Sequence, residues 1–222
     1  MVDIIEGYET EEQQVDAIKK WWKENGNSLI IGAVVGLAGL WGWRYYNDSV
    51  IATQEQQSQA YSTMLLQFEA QNGAKDLTQI SAFVNDNISN NYGILAALLL
   101  SKEAIQQQNF ALAKEQLLQV QKENKFAPLN DVVNLRLARV QVELGEHEAA
   151  LQTLTLIKSN SFLAKASQEK GNIYLHKGDL QQARGAFQEA IMASEGRVDP
   201  ILQLQFDDLA TTTDDVAAPV LE

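Results

Sequence analysis

Two imidazoles, His147 and His176, and 0 cysteines are what this 222-residue chain offers for nucleophilic, redox or metal chemistry. Without a thiol there is no disulfide, no zinc-thiolate site and no cysteine nucleophile. A histidine pair can bind a metal or relay protons, but these two fall in or beside different interhelical turns and bring no ligand cluster with them. They read as solvated turn residues, and Glu146 and Glu148 as an exposed helix start favourable to the helix dipole. No nucleophile elbow, P-loop, zinc-protease motif or dinucleotide fingerprint occurs. The residues point away from an enzyme, a metal and a cofactor, and leave polypeptide binding as the chemistry to look for.

The elements that would carry such binding are helical. The chain has 3 prolines, and after residue 50 Ala, Leu, Gln, Glu and Lys dominate. The clearest segment has Gly171, Tyr174, Gly178, Ala183, Phe187 and Ala190 at the spacing of a tetratricopeptide repeat, with Gly at the turn and small residues where its two helices cross. Thirty-three residues earlier stand Ala138, Gln141, Gly145, Ala150, Leu154 and Ile157. A further shift of 37 gives Ser101, Ala104, Gln108, Ala113, Leu117 and Val120, a degenerate unit without the turn glycine. The spacing predicts an all-α fold, a short solenoid of helical hairpins over residues 47–210, with a plain helical bundle as the alternative. An atypical first hairpin is expected from a long helix ending at Asn72 and Gly73 and a short one from Asp76 to about Asn85, with Leu77, Ile80, Phe83 and Val84 inward. Pro200 starts a terminal helix whose Ile201, Leu202, Leu204, Phe206 and Leu209 are expected to cover the end of the stack; residues 211–222 read as a disordered tail.

Residues 28–46 are uncharged except for Arg44 and dominated by the apolar run from Leu29 to Trp41, the length of one transmembrane helix when Tyr45 and Tyr46 are included. Trp21 and Trp22 before the span and Trp41, Trp43, Tyr45 and Tyr46 at its end form aromatic belts, which a buried core helix does not need. The long acidic tail and the Trp-Gly-Trp-Arg-Tyr-Tyr ending argue against a cleaved signal peptide. Lys19, Lys20 and Lys23 precede the span and Arg44 alone follows it closely, so residues 1–27 are expected in the cytoplasm and the remainder in the periplasm of a Gram-negative cell, anchored in the inner membrane. Within the tail, Thr10 and Gln13 have capping-box spacing, and a short amphipathic helix is expected to end at Asn25 and Gly26. That helix lies on the membrane surface or docks on a partner. Gly32, Gly36 and Gly39 form a small-residue stripe suited to close packing with another span, including a second copy of the chain.

The formal charge is −12, and from residue 47 onward 13 Lys and Arg face 22 Asp and Glu, a balance that repels nucleic acid.

The acidic tail with its Lys-rich aromatic helix, Glu24-Asn25-Gly26 before the span, Gly42-Trp43-Arg44-Tyr45-Tyr46-Asn47 after it, the run from Asn134 to Gln141, and Lys177-Gly178-Asp179 with Ala183-Arg184 together resemble the ancillary Sec translocon subunit family, the YfgM-type membrane proteins. The resemblance covers nearly the whole chain. It implies a periplasmic domain associated with the Sec translocon and with a membrane-anchored periplasmic prolyl-isomerase-like chaperone, acting on unfolded exported proteins. It also implies a concave groove at Val132, Leu135, Arg139, Val142 and Glu143 in one repeat and Lys165, Gln168, Asn172, Leu175 and His176 in the next. Leu135 and Val142 serve equally well as packing residues. Arg139, Lys165 and Asn172 beside apolar neighbours suit an extended peptide, which needs backbone hydrogen bonds and apolar pockets. The competing reading is a structural adaptor or regulator of an envelope or signalling complex that binds no unfolded client.

Overall fold

A computed structural model of the chain describes residues 11–71 and 75–216, which divide into two units, Met1–Gln59 and Ala60–Glu222. Among the described residues all regular structure is α-helical: α1 (Glu11–Glu69), α2 (Thr78–Asn87), α3 (Asn91–Gln106), α4 (Phe110–Glu123), α5 (Ala127–Glu143), α6 (His147–Leu154), α7 (Asn160–His176), α8 (Leu180–Ala193) and α9 (Pro200–Val216).

The first unit is α1 up to Gln59, and it carries the candidate membrane span. Val35 is 65% exposed, Leu40 69% and Trp41 77%, a sheath of apolar side chains that water would not tolerate and lipid would. Gly32, Gly36 and Gly39 lie on an open face: a Cβ built at any of them meets no atom within 4 Å. The break expected at Asn25 and Gly26 does not occur, and α1 passes through both. Asn25 donates its side-chain amide to the Trp21 carbonyl at 3.1 Å, and the Trp22 indole covers Gly26, so local partners replace the interruption their residue types favour. Thr10, the expected cap, lies outside the described residues.

The second unit begins at Ala60, within α1. Here the last turns of α1 put Met64 and Phe68 into a core with Ile80 and Val84 of α2 and Leu100 of α3, and Tyr61 stacks at 5.6 Å on Tyr92. Phe83 and Leu77 pack at the edge of that core as expected, and Asn72 and Gly73 lie outside the described residues.

The three repeats α3/α4, α5/α6 and α7/α8 share one turn. Gln108, Gly145 and Gly178 have φ of 58°, 74° and 76°, the left-handed conformation. The amide after each closes the same bond back across the helix end: Asn109 to the Ala104 carbonyl at 2.8 Å, Glu146 to Gln141 at 2.8 Å, Asp179 to Tyr174 at 2.9 Å. Asn109 and Asp179 then cap the following helices by accepting from the amides of Leu112 and Gln182. The degenerate first unit is thus a full repeat whose turn holds glutamine in a glycine conformation. Small residues do bring the paired helices together. A Cβ on Gly171 would sit 2.4 Å from the Phe187 ring, so only glycine lets α7 approach α8 this closely.

α9 takes the place of the first helix of a further repeat. Leu202 and Leu209 are buried against Phe187 and Ala190, and Phe206 lies over them. Ile201 and Leu204, expected to cover the stack with them, point outward and are 63% and 62% exposed, because one helix face cannot hold all five positions. α9 extends to Val216, into the stretch read from sequence as a disordered tail.

Candidate functional site

The first helices of the repeats, α3, α5 and α7, line two open cavities of about 580 and 840 Å³ that share Arg139 and Glu143 in their walls. The smaller gathers Arg139, Val142, Glu143, Asn172, Leu175 and His176, residues of α5 and α7 singled out in the sequence. Their register explains this: Arg139, Val142 and Glu143 lie at i, i+3 and i+4 on one face of α5, and Asn172, Leu175 and His176 repeat that pattern 33 residues on.

Val132, Leu135, Lys165 and Gln168 line neither cavity. Leu135 is 9% exposed and belongs to the core with Ala150 and Leu154, and Val132 is half-buried. Lys165 donates to the Gln168 side chain at 2.8 Å, Gln168 donates to Gln205 at 3.2 Å, and Gln205 donates to Asn172 at 3.0 Å. Through Gln205 this polar chain ties α7 to α9.

Arg139 is also engaged. Its Nε and Nη2 both donate to Glu169 Oε1, at 2.8 and 2.5 Å, joining α5 to α7. Charge links between repeats recur elsewhere. Lys114 pairs with Glu146 at 2.6 Å, and Lys177 pairs with Glu148, whose hydrogen bond pushes the lysine pKa above its usual 10.5. Glu146 and Glu148 stand at the start of α6 as expected, Glu148 exposed in its first turn, and each also bridges to a neighbouring repeat. His147 is half-buried with its Nδ1 unpartnered, unlike a solvated turn residue, whereas His176 is exposed beside the smaller cavity. Among the described residues no three His, Asp or Glu side chains gather as a metal site.

The larger cavity was not anticipated. Its lining includes Leu98, Leu99, Ile105 and Phe110 together with Lys102 and Arg136. The signal was present: stepping back 37 residues from Leu135, Arg139 and Val142 lands on Leu98, Lys102 and Ile105. Glu169 and Gln205, by contrast, enter the site as partners of Arg139 and Asn172, which repeat spacing does not reveal.

Residues 19–211 match the tetratricopeptide repeat-like domain family. A Haemophilus influenzae protein named ancillary SecYEG translocon subunit is 34% identical over 180 residues, 81% of this chain and 88% of its own length. An Escherichia coli protein of the same name is 36% identical over 188 residues, 84% and 90% of the two chains. Among solved structures, the tetratricopeptide domain of Sgt2 from Aspergillus fumigatus superposes with a TM-score of 0.50 at 15% identity, over 61% of this chain and 91% of that one, a likeness of fold alone. Repeat geometry and kinship over most of the length agree, and the chain belongs to the ancillary SecYEG translocon subunit family, with a tetratricopeptide-like domain behind an apolar N-terminal helix.

Proposed function

We propose that this chain is a membrane-anchored accessory subunit of the Sec translocon whose tetratricopeptide-like domain stands on the periplasmic side. There it holds exported polypeptides and a membrane-anchored periplasmic prolyl-isomerase-like chaperone. The observation that carries the reading is the pair of cavities joined at Arg139 and Glu143, an open trough along α3, α5 and α7 with both apolar and hydrogen-bonding walls. An unfolded chain offers backbone amides and apolar side chains, and such a trough can take both. The names of the relatives supply the translocon, and the lysines before the span supply the orientation. Tethering raises the local concentration of a weak binder at the channel exit, so high intrinsic affinity is not required.

The family assignment and the absence of any catalytic motif favour binding over catalysis. The glycine face of α1 is a contact for a neighbouring span, either a second copy or a channel helix. A photo-crosslinking residue at Asn172 or His176 in living cells tests the groove, with exposed Met192 of α8 as the control site. Exported chains caught from the groove sites and not from Met192 support the proposal. Copurification of the channel without client capture at either groove site supports a structural adaptor instead.

A further inference from the structure

The two ends of the trough differ in chemistry. In the smaller cavity Arg139 is neutralised by Glu169, and Asn172 and Gln205 are hydrogen-bonded to each other beside Val142, Ile173 and Leu175, so its wall is mixed and without spare positive charge. In the larger one, Leu98, Leu99, Ile105 and Phe110 supply an apolar part of the lining, and Arg136 also lines it. Arg136 is exposed and has no ion pair or side-chain hydrogen bond among the described residues. Of the other cations lining it, Arg139 is paired with Glu169, and Lys102 is 3.7 Å from its chain neighbour Glu103 with most of its side chain exposed. An unpaired guanidinium lining a cavity with apolar side chains is conspicuous in a chain of net charge −12. Glu143, also without an ion pair, lies seven residues further along α5, about 10 Å up the helix at 1.5 Å per residue.

We infer that the larger cavity is a specificity pocket for an extended polypeptide segment in which a bulky aliphatic or aromatic side chain is flanked by an acidic one. The bulky side chain packs on Leu98, Leu99, Ile105 and Phe110, the carboxylate pairs with Arg136, and Glu143 disfavours a second acid about three positions away along the extended segment, at about 3.3–3.6 Å per residue. About 840 Å³ is within the range of about 300–1,000 Å³ typical of ligand pockets, enough for such a side chain and its neighbours. Arginine suits the role because its planar fork matches a carboxylate in two hydrogen bonds. This inference rests on the reading of the trough as a polypeptide groove and adds which sequences it prefers.

The test uses the full chain in detergent micelles and short fluorescein-labelled Gly/Ser peptides with a central Phe-Asp-Leu, Phe-Lys-Leu or Ser-Asp-Ser, followed by anisotropy. Wild type should bind the Phe-Asp-Leu peptide most tightly, and salt should reduce its advantage over the lysine peptide. Arg136→Glu should weaken the Asp peptide about tenfold and reverse the preference between Asp and Lys. Arg136→Gln should abolish the preference, and Ile105→Ser should weaken both Phe peptides. Arg136 and Ile105 are not buried, so these changes leave the fold intact, and an unchanged melting temperature checks it. Equal binding of all three peptides by wild type, or an Arg136→Glu variant that still prefers Asp, would overturn the pocket. If that happens while Asn172 still captures exported chains in cells, the groove reading survives. Absence of both peptide binding and capture removes the groove reading as well.

Discussion

Replacing Gly171 by alanine tests the physical basis of the repeat. Alanine is the better helix former by about 1 kcal/mol in a helix interior, so propensity alone predicts a gain. The added Cβ, however, would lie 2.4 Å from Cε1 and 2.5 Å from Cδ1 of Phe187, a ring that is 0% exposed and has nowhere to retreat. Overpacking of a tight core costs about 1–3 kcal/mol, and contacts this short belong at the upper end, leaving a net loss of about 2 kcal/mol. In α8, Gly185 is exposed and a Cβ there meets nothing within 4 Å, so Gly185→Ala should show the bare propensity gain. For a chain of this size each kcal/mol shifts the melting temperature by about 2–4 °C, so Gly171→Ala should fall by about 4–8 °C and Gly185→Ala rise by about 2–4 °C. Far-UV circular dichroism of the full chain in micelles gives both. Adding Phe187→Leu to Gly171→Ala should produce a loss smaller than the sum of the two single losses, because the clash is shared. If Gly171→Ala rises alongside Gly185→Ala, the close approach of α7 and α8 is not what glycine provides.

Gln108→Gly should stabilise the chain by about 1 kcal/mol by removing left-handed strain at the first repeat turn, while Gly178→Ala should cost a similar amount, both read from the same melts. Arg139→Glu should destabilise by about 1–3 kcal/mol, because it sets a carboxylate against Glu169, whose side chain is only 17% exposed. The exchange Arg139→Glu with Glu169→Arg should recover most of that loss. The Asp76 carboxylate accepts from the Thr78 hydroxyl and amide, which hold its pKa below the usual 3.8. Its stabilisation is then present above that value and lost as pH falls through the depressed pKa, so the melting difference between wild type and Asp76→Asn should be constant at neutral pH and vanish in strong acid.

The repeat was legible wherever residue type and backbone demand coincide. Gly178 and Gly145 mark their turns because glycine is the natural occupant of a left-handed position, and Gly171 with Phe187 marks a crossing that only a small and a large residue can make. Gln108 hides the same turn, since the two flanking helices impose a conformation that its side chain does not advertise. Asn25 and Gly26 mislead in the opposite direction. They are helix-ending residues by propensity, yet a side-chain bond to Trp21 and cover from Trp22 carry α1 through. Of the ten positions that the resemblance implied for a groove, six line one cavity, but neither the resemblance nor the repeat spacing says what faces each side chain across the solenoid. Lys165 turned to Gln168 within α7, Gln168 went to Gln205 of α9, and Arg139 went to Glu169, the last two through pairings between helices that no local pattern encodes.

The central claim is that a single apolar helix holds a tetratricopeptide-like domain on the far side of the inner membrane, and 0 native cysteines make it directly testable. Ser161→Cys in α7 and Gln14→Cys near the start of α1 both replace exposed residues. With a membrane-impermeant maleimide and only the outer membrane opened, the cysteine at 161 should be labelled at once, and that at 14 only after the inner membrane is broken. Labelling in the reverse order, or of both sites together before lysis, would contradict the account.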